Sequence, residues 1–314
     1  MKLSIIIPTY CAEEHLDRLL KSLSVQTVKP QEVIIIDSSS PDRTVKIANF
    51  WKAKVIVIPK QKFNHGETRT LAGKAANGEV LIYITQDIMP CDEKAIENLI
   101  KPFYQDKKVG ATFGRQIPYP DATLFAKHLR LYNYPDKSYV KSLEDKEKYG
   151  LKTCFCSNSF AAYRKSVLEE VGWFKSGLIF GEDMHVAAKI LLKGYKIAYV
   201  AEAKVYHSHS YTVWQEFKRY FDIGVFHKRE VWILKEFGKA EGEGGRYVKS
   251  EFKYLLKNGA YHLIPEFFIR NILKFLGYKL GYNYDKLPKS LIKKLSMHSF
   301  WWDKVFECRN KYER

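Results

Sequence analysis

Four short apolar runs, LSIIIPT, EVIIID, KVIVIP and VLIYI, crowd the first 84 residues, and a stretch with helical spacing separates each from the next. After the first run, Leu16, Leu19, Leu20 and Leu23 recur at helical intervals. After the second, SSSPDRTVKIANFW reads as a helix start, with Ser40 as cap and Pro41 at the first helical position. After the third, a helix is expected from about Glu67 to Asn77, stopped by Gly78. Strands alternating with helices make βαβ units and a mostly parallel sheet. Val- and Ile-rich runs without polar alternation belong to strands covered on both faces.

The pattern continues less regularly. VGATFGRQ reads as a strand, and residues 117–152 show weak periodicity. CFCSNSFAAYRKSVLEEVGWF resumes with strand then helix, CFC alternating sides of the strand, and GEDMHVAAKILLKGYKIAYV gives helix, a Gly194 stop and strand. From Thr212, where TVWQ fits a capping box, the chain turns helical. Ile264, Phe268, Ile272, Phe275 and Leu276 make one apolar face there, with Arg270 and Lys274 opposite. The expected division is an α/β domain over 1–210 and a helical, basic and aromatic region over 211–314.

Composition narrows the function classes. With 314 residues and 46% hydrophobic content the chain can bury a sizeable core. Lys, Glu or Arg interrupts every apolar run before it reaches membrane-spanning length, and the N-terminus runs straight into a strand, so a cytoplasmic protein is expected. Five cysteines (11, 91, 154, 156, 308) form no CxxC pair and offer neither a disulfide framework nor a zinc signature. The net charge of +17 points to anionic partners. Residues 211–314 carry 21 Lys and Arg against 12 Asp and Glu, and 23 of the 46 aromatics.

Polar and charged residues gather where strands end. IDSSSPD follows the second strand and ITQD the fourth, GED opens a helix, and VYHSH closes a strand. In open α/β sheets ligands collect at the carboxyl edge of the strands. Each stretch alone also fits an ordinary turn or a dipole-favoured helix start. Together they suit transfer from a nucleoside diphosphate donor: carboxylates hold base, ribose and a divalent metal, hard oxygen ligands select Mg²⁺ or Mn²⁺, and a further carboxylate serves as general base. Asp183, at a helix N-terminus, is expected to stay ionised at neutral pH.

The ordered series SIIIPTY, EVIIIDSSSPDRT, ITQD, GED and a later histidine resembles the family 2 glycosyltransferases, which have the GT-A fold, over roughly residues 3–235. The resemblance implies that Pro8, Thr9 and Tyr10 line the nucleotide pocket, that Asp37 contacts the base, and that Asp42 lies in the same loop. It implies Asp183 as catalytic base of an inverting transfer. It makes Asp87 the last aspartate of the metal motif and His207, 24 residues after Asp183, a metal ligand in preference to His209. The first aspartate of that motif is missing, because the sequence reads Thr85-Gln86-Asp87. Gln86 with FNHGETR (63–69) resembles the rhamnosyltransferase branch, whose donor is dTDP-L-rhamnose. That places Phe63, Asn64, His65, Gly66, Arg69 and Gln86 in the donor site, with Arg69 a candidate for diphosphate contact; a UDP-sugar is the alternative donor.

A sugar-nucleotide pyrophosphorylase would begin with a glycine-rich phosphate loop, and IIIPTYCAEEHLD has no glycine. A nucleic-acid binder would explain the charge but not carboxylates at strand ends, so no nucleic-acid partner is expected. The aromatic, basic tail with Trp214, Trp232, Trp301 and Trp302 suits a saccharide or lipid-linked acceptor, a peripheral membrane surface, or a homodimer interface.

Overall fold

The computed structural model describes residues 1–238 and 241–312, without the side chains of 241, 242 and 308–312. The chain divides into two compact units. The first comprises 1–178 and 182–208, the second 179–181 and 209–314.

The first unit is built on one mixed sheet ordered β3-β2-β1-β4-β8-β6-β9-β5, with β7 paired to β9. Its strands are β1 (Leu3–Thr9), β2 (Glu32–Asp37), β3 (Lys54–Val57), β4 (Val80–Ile84), β5 (Met89–Pro90), β6 (Val109–Ile117), β7 (Tyr139–Lys141), β8 (Phe160–Arg164) and β9 (Lys196–Tyr206). The four runs singled out in the sequence are β1 to β4, and they are parallel neighbours. β8 runs antiparallel between β4 and β6, and β6 and β9 are again parallel. The connecting helices are α1 (Glu13–Ser24), α2 (Thr44–Phe50), α3 (His65–Lys74), α4 (Ala95–Gln105), α5 (Leu124–Asn133), α6 (Lys146–Tyr149), α7 (Lys165–Val171) and α8 (Glu182–Leu192). Leu16, Leu19, Leu20 and Leu23 of α1 are buried against Ile5 and Ile7 of β1, Ile35 of β2 and Ile82 of β4.

Three local expectations are corrected. α2 begins at Thr44 and not at Pro41, because the Asp42 carboxylate accepts from both the Thr44 amide (3.1 Å) and its hydroxyl (2.6 Å). α3 starts at His65, capped by Asn64, whose side chain accepts from the Glu67 amide at 3.2 Å. CFC is not strand: Cys154 closes a 3₁₀ turn, β8 starts at Phe160, and both cysteines are buried. The side chain of Cys308 lies outside the described residues; the other four cysteines are free thiols.

The second unit is helical: α9 (Val213–Arg229), α10 (Val231–Phe237), α11 (Glu241–Lys257), α12 (Ile264–Tyr282), α13 (Lys289–Leu295) and α14 (Ser299–Tyr312). The capping box at Thr212 forms, Gln215 and Thr212 exchanging bonds of 2.9 and 3.2 Å. α9 and α12 meet through glycines: a Cβ on Gly281 would lie 1.9 Å from the Phe221 carbonyl oxygen. Trp302 is fully buried, whereas Trp214 is half exposed. On a helix lying at a membrane interface, Arg270 and Lys274, opposite the apolar face, would meet water. They are buried instead, each paired with Glu216 (3.1 and 3.5 Å), while Phe268, Ile272, Phe275 and Leu276 are the exposed face. Among the described residues no helix is long and apolar enough to cross a membrane.

Candidate functional site

The site is assembled by strand register. β1 and β2 pair so that Thr9 lies beside Asp37 and Pro8 beside Ile36. Thr9 Oγ1 donates to Asp37 Oδ1 at 2.9 Å, and the Ser40 hydroxyl and amide donate to the two Asp37 oxygens at 2.6 and 2.8 Å. Asp37 is completely buried and shapes the loop after β2, while a carboxylate's four lone-pair directions leave acceptor capacity for a ligand. Beyond the ends of β1 and β2 two non-glycine residues adopt left-handed backbone, Cys11 (φ 49°) and Ser39 (φ 56°). Such residues concentrate at functional loops. The Cys11 amide donates to the Ser40 hydroxyl (2.9 Å), joining the two loops.

Asp42 is half-buried and accepts hydrogen bonds from Thr44 and Glu13. Burial works to raise its carboxyl, but the Thr44 hydroxyl and amide and the Glu13 amide outweigh that and hold it below the usual range. It ties α1 to α2, since the Glu13 amide donates to it at 3.2 Å.

Gln86 follows β4, next to β1 in the sheet. Its side chain clamps the Tyr10 backbone both ways: the Tyr10 amide donates to Oε1 (2.9 Å) and Nε2 donates to the Tyr10 carbonyl (3.1 Å). The Tyr10 ring is partly exposed, with Lys60 Nζ 4.3 Å from its centroid and donating to its hydroxyl at 2.5 Å. Lys60, in the turn after β3, was not foreseen; its only sequence signal is the basic KQK following the third run.

The short antiparallel pairing of β5 with β9, Met89 opposite Tyr206, brings Asp87 to His207. His207 Nε2 lies 3.4 Å from Asp87 Oδ2. The ring orientation follows from Gln116. Arg130, which can only donate, gives a hydrogen bond to Gln116 Oε1 (2.8 Å), and Gln116 Nε2 donates to the Ser157 hydroxyl (2.9 Å). Oε1 therefore accepts from His207 Nδ1, 2.8 Å away. In the neutral ring Nε2 then carries the lone pair and directs it at Asp87. A proton or a metal ion between that nitrogen and the carboxylate makes the contact favourable. The Asp87 carboxylate and the His207 imidazole, the latter oriented by the Gln116 side-chain carbonyl, are donors that fit a divalent metal. His209 opens the second unit, where its ring stacks on Tyr211 at 5.5 Å.

Asp183 stands in the first turn of α8. The Asn158 amide donates to its Oδ2 (3.3 Å) and the Met184 amide to its Oδ1 (2.8 Å). Burial, and the carboxylate of Glu182 beside it, push Asp183 up to about 6. The expectation of an ionised base tempered by the helix dipole is thus modified: desolvation outweighs the dipole, leaving a carboxylate largely ionised at neutral pH yet a stronger base than a solvated one. Glu182 is held ionised by Arg69, whose guanidinium nitrogen is 3.1 Å from Oε1, against a burial cost that works to raise it.

The motif FNHGETR serves this arrangement. Asn64 caps α3 and its Nδ2 donates to the Leu178 carbonyl at 3.1 Å. A Cβ on Gly66 would lie 2.0 Å from the Lys175 carbonyl oxygen, so only glycine allows α3 to approach that closely. His65 packs edge-on against Phe63, its Nδ1 3.3 Å from Arg69. Arg69, expected to meet a diphosphate, is 5% exposed and faces Glu182. Asn158 was not foreseen either. Its Nδ2 donates to Glu182 (3.2 Å) and its Oδ1 accepts from the Tyr163 hydroxyl (2.8 Å).

Known proteins match this picture. The profile of Glycosyl transferase family 2 covers residues 4–172. The chain is 47% identical, over 97% of its own length and 97% of the relative's, to the O-antigen chain rhamnosyltransferase RfbN of Salmonella typhimurium. It is 45% identical, over 96% of each, to the O-antigen chain rhamnosyltransferase WbaN of Salmonella anatum. Among solved structures, the mannosyltransferase PcManGT of Pyrobaculum calidifontis, in complex with GDP-Man and Mn²⁺, superposes with a TM-score of 0.60 at 15% identity, covering 91% of this chain and 88% of that one. The S. aureus TarS fragment 1–349 gives 0.54 at 16% identity, covering 91% and 92%. These neighbours share the GT-A fold with it, and the chain is a glycosyltransferase belonging to glycosyl transferase family 2.

Proposed function

We propose that the protein transfers L-rhamnose from dTDP-L-rhamnose, with inversion, to a hydroxyl of a saccharide or lipid-linked acceptor during synthesis of a cell-surface polysaccharide. The observation that carries the chemistry is the placing of two carboxylates in one unit, Asp87 3.4 Å from His207 Nε2 and Asp183 raised beside Glu182. The sugar is supported by the two Salmonella rhamnosyltransferases that the chain matches over almost its full length.

In this reading Pro8, Thr9, Tyr10 and Asp37 receive the nucleotide, Asp42 and Gln86 fix the loops that do so, and Lys60 lends positive charge. Asp87 and His207 would hold Mg²⁺ or Mn²⁺, which supplies charge neutralisation for the departing diphosphate. Asp183 takes the proton from the acceptor hydroxyl as that oxygen attacks the anomeric carbon. Asn64, His65, Gly66 and Arg69 border the donor site, with Arg69 also holding Glu182. The enzyme works in the cytoplasm, and its basic second unit is the region for peripheral contact with a membrane or a second copy.

Calorimetric titration with dTDP, UDP and GDP, each with and without Mn²⁺, tests the donor. Metal-dependent preference for dTDP is expected, and preference for UDP would discard rhamnose while keeping the mechanism. Asp183→Ala should bind donor and lose transfer, whereas Asp87→Ala should lose metal-dependent donor binding. Transfer surviving in Asp183→Ala would remove the base assignment.

A further inference from the structure

Helix α12 wears its polarity inside out. On its inner face Arg270 lies 3.1 Å from Glu216 and 2.6 Å from Glu266, and Lys274 is 3.7 Å from the fully buried Glu251. The outer face carries Phe268, Ile269, Ile272, Phe275, Leu276 and Leu280, each between 36% and 57% exposed. These positions form one stripe at helical spacing. Buried charges bring no net stability by themselves, and a row of large apolar groups facing water marks an interaction surface.

Charge decides what covers the stripe. Between Phe268 and Phe300 the sequence has seven Lys and Arg and one acidic residue. Two of the basic residues are the buried pair, while Lys279, Lys286, Lys289 and Lys294 are exposed. A second copy would bring the same excess and repel, whereas an anionic lipid surface complements it. Lys279, the one charge within the stripe, lies 5.5 Å over the Phe275 ring on a stem long enough to reach headgroups while the rings enter the acyl boundary. We propose that α12 lies in the headgroup plane of an anionic bilayer through its 268–280 stripe. This concerns the second unit alone and stands whether or not the donor is dTDP-L-rhamnose.

Flotation with vesicles tests it. The full-length protein should float with phosphatidylcholine vesicles containing phosphatidylglycerol, less at high salt, and far less with phosphatidylcholine alone. Ile272→Glu/Phe275→Glu, at two positions more than half exposed, should weaken binding at least about tenfold while circular dichroism and donor affinity stay unchanged. Should that variant fold poorly, Lys286→Glu/Lys294→Glu must also lower binding to the anionic vesicles. Wild-type protein that stays with the pellet fraction, or variants that float equally well, would overturn the proposal. So would a wild-type dimer in sedimentation that Ile272→Glu/Phe275→Glu converts to monomer without any vesicle binding.

Discussion

The Arg69 guanidinium lies 3.1 Å from the Glu182 carboxylate, and both side chains are 6% exposed. Glu182 stands next to Asp183 in the first turn of α8, so the pH at which the base works is shifted in part by a neighbour that never needs to touch substrate. Glu182 is one of two causes that raise Asp183 to about 6, after burial. Glu182→Gln removes the adjacent negative charge while keeping an oxygen for Arg69. The acid limb of the kcat profile, expected near pH 6 in the wild type, should move down by roughly one pH unit. Stability should drop by about 3 kcal/mol, because Arg69 keeps its buried charge without a counter-charge. An unmoved acid limb would show that Asp183 is not the titrating group.

Gln116 reaches the metal site only through His207. Gln116→Leu deletes the carbonyl that orients the ring, and Mn²⁺ affinity measured by calorimetry in the absence of donor should fall about 10- to 100-fold. Gln116→Glu retains an acceptor for Nδ1 and should recover most of it. Equal losses in both variants would mean that packing, and not the hydrogen bond to Nδ1, matters at this position.

Gly66 separates a packing role from a binding role in FNHGETR. Since an added Cβ would overlap the Lys175 carbonyl at 2.0 Å, Gly66→Ala should cost about 3 kcal/mol or more in urea unfolding. If stability is kept and only donor affinity falls, glycine is there for the ligand.

Much of the parallel half of the sheet was legible because its signal is local: four apolar runs with helical spacing between them became β1 to β4 in order. Asp37 and Asp87 were legible because they end or closely follow those runs, and Asp183 because it opens a helix. What stayed hidden depends on register. Asp87 meets His207 through a two-residue pairing of β5 with β9, and Gln116 meets His207 across β6 and β9, a neighbour relation that no spacing in the sequence encodes. Asn158 and Lys60 sit in turns without periodicity. α12 was ambiguous for a different reason. Periodicity says only that an apolar and a charged face exist and not which one turns inward.

Asp222 gives the second unit its own pH dependence. It is fully buried in α9, accepting from the Ser296 hydroxyl (2.6 Å) and the Met297 amide (3.0 Å). Burial pushes its carboxyl up to about 7 despite those bonds. In the unfolded chain an aspartate titrates near pH 4, so between about pH 4 and pH 7 the folded state holds a proton that the unfolded state has released. Stability therefore favours the acid side of this window and is lost as the pH rises through it, a change of about 4 kcal/mol for this group alone. Asp222→Asn is neutral throughout and keeps one oxygen for Ser296 or Met297. Its unfolding midpoint should depend less on pH across the window, with the two proteins differing most at the neutral end. Wild-type and Asp222→Asn curves that run parallel from acid to neutral pH would mean that Asp222 is ionised inside the fold, and that its two hydrogen bonds outweigh its burial.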